Sequence, residues 1–207
     1  VRILSQSLVI AALTTCSATF IGFCFAYALS RPDFPFKGFF RAVSILPLVS
    51  PPFVGGLAFI LLFGRNGVVT RGLLGLDVSV YGWHGLWMVQ TLAFYPLAVL
   101  TISGVLRGIN PTLEYAARDL GQGYWGTFRT VVLPLATPGI ASAGLLVTMY
   151  SLADFGNPML IGGNFRVLAT ETYMQVTGLY NLPMAAVLSV ALLVPSVGIF
   201  LLQRYWV

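Results

Sequence analysis

The chain has 207 residues, of which 57% are hydrophobic and 8% charged, and its formal net charge is +5. Soluble domains carry about 25% charged residues, so an ordinary water-soluble fold is excluded. The basic residues cluster nowhere, so the positive balance is not a nucleic-acid-binding patch. Five windows, 8–29, 42–63, 85–106, 130–153 and 182–203, contain no Asp, Glu, Lys, Arg or His. Each is long enough to cross a hydrocarbon core, which takes about 20 helical residues. The sequence therefore predicts an all-α polytopic membrane protein with five spans.

The first window is an uninterrupted helix rich in Ala, Ser, Thr and Gly, residues suited to close helix packing. Cys16 and Cys24 share it, separated by about 12 Å along the axis, too far apart for a disulfide. Pro32 and Pro35 end the helix.

The second window carries Pro47, Pro51, Pro52, Gly55 and Gly56 in mid-span. Consecutive prolines remove N–H donors and orphan carbonyls that lipid cannot satisfy, so this segment must face protein or a water-filled path. Two readings follow: a kink used for packing, or a broken helix lining a translocation route. In the second, Pro47, Ser50, Pro51, Pro52 and Gly55 are the pathway or gate residues. A Gly-rich external connection, 64–82, leads to the third window, where Tyr95-Pro96 marks another kink. His84, beside Trp83, reads as an interfacial residue, because a metal site would need further ligands.

The polar loop between the third and fourth windows is the informative tract. Asn110 is a good N-cap and Pro111 a good first helical residue. The run 112–120 favours helix, and Glu114 lies near its positive end. Gly121 and Gly123 stop it, and 126–132 resumes a second helix that Pro134 leads into the fourth window. This helix–Gly turn–helix exposes Ala116 and Ala117 to a partner, with Glu114, Arg118, Asp119 and Arg129 as charged rim. An ordinary interfacial helix would share this composition.

The fourth window ends at Asp154-Phe155-Gly156-Asn157-Pro158, and the external connection continues to Asn181 before the fifth window, which carries Pro195. Asp154 stands at a membrane boundary, where an acid can stay hydrated. Placing Arg31, Lys37, Arg41, Arg107, Arg118, Arg129 and Arg204 on one side puts Arg2, Arg65, Arg71 and Arg166 on the other. The positive-inside bias assigns the first group, and the 107–129 loop, to the cytoplasm. Five spans then place Val1 outside. The expectation is a single transmembrane domain over 1–207 that is one half of a longer polypeptide, with at least one helix upstream.

Tyr115-Ala116-Ala117, three residues, Gly121, nine residues, Val131, one residue and Leu133-Pro134 resemble the EAA signature of ATP-binding-cassette importer permeases, E-A-A-x3-G-x9-I-x-L-P. Tyr115 occupies the signature's Glu position, and Glu114 precedes it, about 100° away around the helix. The resemblance extends over essentially the whole chain to the five-helix core of a type I importer permease. Leu46-Pro47, the 51–55 run, Leu62-Phe63-Gly64-Arg65-Asn66-Gly67 and the 153–158 segment are similar to its ferric-iron-type branch.

What the resemblance implies is a multi-pass protein of the bacterial cytoplasmic (inner) membrane that imports iron(III) or a small anion such as a phosphonate. Its partners would be a cytoplasmic ATP-binding-cassette ATPase, a periplasmic solute-binding protein, and a second permease half, fused or separate. The ATPase-coupling residues would be Glu114, Tyr115, Ala116, Ala117, Arg118, Asp119, Gly121, Leu133 and Pro134. Those facing the binding protein would be Asp154, Asn157, Asn164 and Arg166. No catalytic, metal or cofactor set is expected, and the chain has no phosphate-cradling Gly-Lys-Ser/Thr loop with which to hydrolyse ATP itself. Half of a secondary transporter or channel would also use broken helices, but it would need charged residues inside the spans.

Overall fold

The computed structural model describes residues 2–31, 34–49, 51, 53–75 and 79–206, and among them the chain forms ten α-helices and no strand. These are α1 (Arg2–Ser30), α2 (Lys37–Val49), α3 (Val54–Phe63), α4 (Trp83–Gly108), α5 (Pro111–Asp119), α6 (Tyr124–Thr127), α7 (Leu133–Ala153), α8 (Gly156–Ile161), α9 (Leu168–Thr177) and α10 (Leu182–Trp206). Two π-helical turns, Val68–Leu73 and Phe128–Val132, complete the helical path.

Among the described residues, four segments are long and apolar enough to cross a membrane: Arg2–Ser30, Trp83–Gly108, Tyr124–Ala153 and Leu182–Leu202. They coincide with the first, third, fourth and fifth sequence windows. The second window is split into α2 and α3, and Lys37–Val49 meets Val54–Leu73 at 113°. That pair makes a fifth crossing only as a broken one, as the proline run requires. Pro96, by contrast, is buried inside α4 without ending it.

The bundle is held by α1, α4 and α7, and its inner cluster combines Ala18, Ala26, Ala98, Ile102, Val132, Ala136, Ala143 and Val147. Small residues set the approach of the backbones. A Cβ built on Gly22 would lie 2.4 Å from Ala98 Cβ, and one on Gly139 2.8 Å from Val105. In a bilayer this close packing replaces the hydrophobic drive that water supplies to soluble proteins. Hydroxyls add cross-links between helices. Thr15 and Thr148 pair at 2.8 Å and Ser17 and Thr91 at 2.7 Å, while the Trp87 indole N–H donates to Ser17.

A second cluster sits at the other end of the bundle, where Ile10, Phe59, Leu86, Val89 and Ile161 join α1, α3, α4 and α8. The outer faces of α2, α3 and α10 remain apolar and exposed, including Leu46, Val49, Leu61, Val187 and Val194.

Candidate functional site

The loop between α4 and α7 is built as a rigid helical hairpin. Asn110 caps α5, its side-chain oxygen accepting from the Thr112 N–H at 3.0 Å, and Pro111 follows. At the other end the Gln122 N–H donates to the Ala117 carbonyl and the Gly121 N–H to the Arg118 carbonyl. This is the paired bonding of a Schellman motif, which needs a left-handed residue. Gly121 supplies it, at φ 88°. The Thr130 hydroxyl then donates to the Gln122 side chain at 2.8 Å, tying the turn to the following helix.

Beyond the turn, α6 runs through the Phe128–Val132 π-helical turn into α7 without a break. Leu133 and Pro134 open the α-helical part of this path, directly after the π-helical turn.

Two of the expected surface assignments are corrected by the packing. Ala117 is buried, whereas Ala116 is exposed. Glu114 faces inward rather than toward a partner. Its carboxylate accepts from the Arg31 guanidinium at 2.6 Å, and Arg118 approaches it at 4.0 Å. Arg31 in turn donates to the Tyr27 hydroxyl and lies 4.4 Å over that ring. Partial burial lowers the Arg31 pKa, but the hydrogen bond to Glu114 and the interactions with Tyr27 and the Glu114 charge together outweigh it and leave the pKa raised. One turn of α5 is thereby fastened to the end of α1.

The face left open carries Leu113, Tyr115, Asp119 and Leu120, followed by Tyr124 and Trp125. Tyr115, at the signature's Glu position, is 61% exposed, and Leu120 is 86% exposed. Arg118 lies 4.3 Å over the Tyr124 ring. This open aromatic and aliphatic edge is not legible in the sequence, because its residues alternate with polar ones in a short loop.

The broken second window places Pro47 within α2 and Gly55 in the first turn of α3, with Pro51 exposed between them. Ser50 and Pro52 lie outside the described residues. A Cβ on Gly55 would meet nothing, whereas one on Gly56 would lie 2.9 Å from Leu160 and 3.1 Å from the Asn157 side-chain oxygen. Gly56 therefore seats α3 against α8. Phe53, at φ 73°, packs edge-on against Phe155, which stacks on Tyr173.

Asp154 also differs from its expected role. It is a half-buried helix-end acid at the centre of a hydrogen-bond network rather than a freely hydrated one. One carboxylate oxygen accepts from the Gly156 and Asn157 N–H groups, and the other from the Gln90 and Asn157 amides, each at 2.9 Å. Gln90 is fully buried, and its oxygen accepts from Thr14 and Ser151. Burial pushes the Asp154 carboxyl above its ordinary range, opposed by the bonds from Gln90, Asn157 and Gly156. Asp154 and Asn157 thus orient α8 against α4, α1 and α7. Asn164 and Arg166 remain exposed on the same connection, where Arg166 pairs with Glu171 at 3.5 Å. His84 contacts the Ser79 carbonyl oxygen at 2.8 Å through Nε2.

The chain is similar to the ferric transport system permease protein FbpB of Actinobacillus pleuropneumoniae, with 36% identity over all of this chain and 31% of that protein. It thus spans about a third of the length of that relative. It is also 34% identical to the molybdenum transport system permease protein ModB of Escherichia coli (strain K12), over 85% of this chain and 76% of ModB. Its fold matches a solved structure of the MetNI methionine ABC transporter in inward-facing conformations. The TM-score is 0.75 at 20% identity, covering 98% of this chain and 92% of that one. The profile of binding-protein-dependent transport system inner membrane components matches residues 18–207, and the chain belongs to that family of inner-membrane permeases.

Proposed function

We propose that this chain is one permease half of an ATP-driven importer, with α5 as the element that docks on a cytoplasmic ATPase. The observation that carries the reading is the build of the loop: a capped helix, closed by a Schellman turn, tied to α1 by Glu114–Arg31 and presenting Tyr115, Leu120 and Trp125 outward. A lever transmits motion only if it does not bend, and α5 is capped at both ends, by Asn110 and by the Gly121 turn. Closure of an ATPase dimer would push α5. That push would pass to α1 through the ion pair and to α7 through the continuous helix from Tyr124. Alternating access follows from relative movement of the spans around the broken α2–α3 crossing.

Tyr115, Ala116, Arg118, Asp119 and Leu120 form the ATPase-facing surface in this reading, while Glu114, Ala117, Gly121, Leu133 and Pro134 position it. At the other side, Asn164 and Arg166 are the exposed polar contacts for a solute-binding protein, and Asp154 with Asn157 holds the α8 turn beneath them. The exposed apolar faces of α2, α3 and α10 suit a second permease half. Iron(III) or a small anion, such as a phosphonate, is the cargo, and selection rests mainly with the binding protein because the described part of the broken crossing is uncharged from Ala42 to Phe63.

Co-purification tests the reading. The full transporter should retain an ATPase subunit whose ATP hydrolysis rises when cargo-loaded binding protein is added. A chain that inserts normally but retains no ATPase would overturn it. Uptake of iron(III) compared with a phosphonate or molybdate then assigns the cargo.

A further inference from the structure

We propose that the cavity between α1, α2 and α4 is a binding site for the phosphate of an anionic phospholipid. The cavity measures about 260 Å³ and is lined by Lys37 and Arg41 from α2, Arg107 from α4, and the hydroxyl-bearing Ser30 and Ser103. None of the three cations forms an ion pair among the described residues, although Arg31 and Arg118 at the same end of the bundle both approach Glu114. Three like charges around one space repel each other, and an anion in that space relieves the repulsion. Lys37 and Gly38 also form the first turn of α2, whose unpaired N–H groups favour negative charge.

The other wall is apolar, with Leu29, Ile45 and Leu100 among its residues. A free oxyanion gains nothing from such a wall. A phospholipid uses both parts, with its phosphodiester among the cations and its acyl chains along the aliphatic side. The site lies at the span ends, beside Ser30 and Arg107, where headgroups sit, and basic pockets between membrane helices suit anionic headgroups.

Gly104 makes the site testable without touching its charge. It lines the cavity, and a Cβ built on it meets nothing within 4 Å. Gly104→Leu therefore fills the space while improving a helix position.

The full transporter would be reconstituted in nanodiscs of phosphatidylcholine with or without phosphatidylglycerol, and retained lipid counted by native mass spectrometry after detergent release. The expected result is one phosphatidylglycerol held by the unaltered protein and lost from both Gly104→Leu and the triple variant Lys37→Gln/Arg41→Gln/Arg107→Gln. Millimolar inorganic phosphate should not displace it. Undiminished retention in Gly104→Leu would show diffuse attraction to surface charge and overturn the site. Displacement of the lipid by inorganic phosphate would overturn the lipid assignment in favour of a free oxyanion.

Discussion

Glu114 and Arg31, 83 positions apart in sequence, meet at 2.6 Å and join the polar loop to the first span. The pair is partly shielded, with side-chain exposures of 17% and 32%. Neutralising either partner should lower transport more than it lowers assembly, because the tie is internal to the chain. A pair of this exposure is worth about 1 kcal/mol, so Glu114→Gln should leave membrane insertion intact. The charge swap Arg31→Glu with Glu114→Arg should recover part of the uptake lost in each single variant. Additive losses in the double variant would remove the pair from the coupling path.

Gly121 and Gly123 give a matched comparison. Gly121 is left-handed, at φ 88°, and neither Cβ would meet a neighbour within 4 Å. Gly123 has ordinary extended geometry, at φ −71°. Gly121→Ala should therefore cost about 1 kcal/mol of local strain, while Gly123→Ala should be nearly silent. Gly121→Pro also deletes the N–H that donates to Arg118 and should abolish uptake in correctly inserted protein. Uptake measured in membranes with equal protein content checks both.

The open edge and the buried face of α5 should separate in a binding assay. Tyr115→Ala and Leu120→Ala should each weaken retention of the ATPase by about 1–2 kcal/mol, or roughly tenfold. Ala117→Glu should act differently, by disordering the hairpin, because Ala117 is 8% exposed. Hydrogen exchange in the 111–122 backbone distinguishes the two, rising only in the Ala117 variant.

Asp154 makes stability depend on pH in a defined direction. Its folded-state pKa is raised from an ordinary value of 3.8, chiefly by burial. The folded state therefore binds this proton more tightly than the unfolded state. The stability it contributes is fully present below that ordinary value and is lost as pH rises through the raised one. Asp154→Asn cannot titrate, so its unfolding temperature should be flatter than that of the unaltered protein from about pH 4 upward. Thermal unfolding in detergent, followed by tryptophan fluorescence at a series of pH values, measures the difference. Parallel pH profiles would exclude Asp154 as the titrating group.

Much of this architecture was legible in the sequence because membrane spans are written as uninterrupted apolar length. Asn110-Pro111 and Gly121 likewise announced both ends of α5, since capping chemistry is local. The faces of the helices were not legible in the same way. Glu114 turns inward to Arg31, which lies far away in sequence. Gln90 is one polar residue in an apolar window, and only the approach of Thr14, Ser151 and Asp154 makes it a junction. Gly56, and not the neighbouring Gly55, meets α8 closely, because adjacent positions on a helix face about 100° apart.

The contact of Gly22 with Ala98 divides the molecule mechanically. Where two backbones touch this closely, sliding or rotation would drive atoms into one another, so α1 and α4 travel as a block, and Gly139 against Val105 adds α7 to it. Across α10, Ala185 is the single buried position among the described side chains. The chain thus consists of a stiff three-helix chassis and loosely held outriggers. If the loop receives an ATPase's stroke as proposed, that stroke must be spent on the joints between them, and cross-links there are expected to stall uptake.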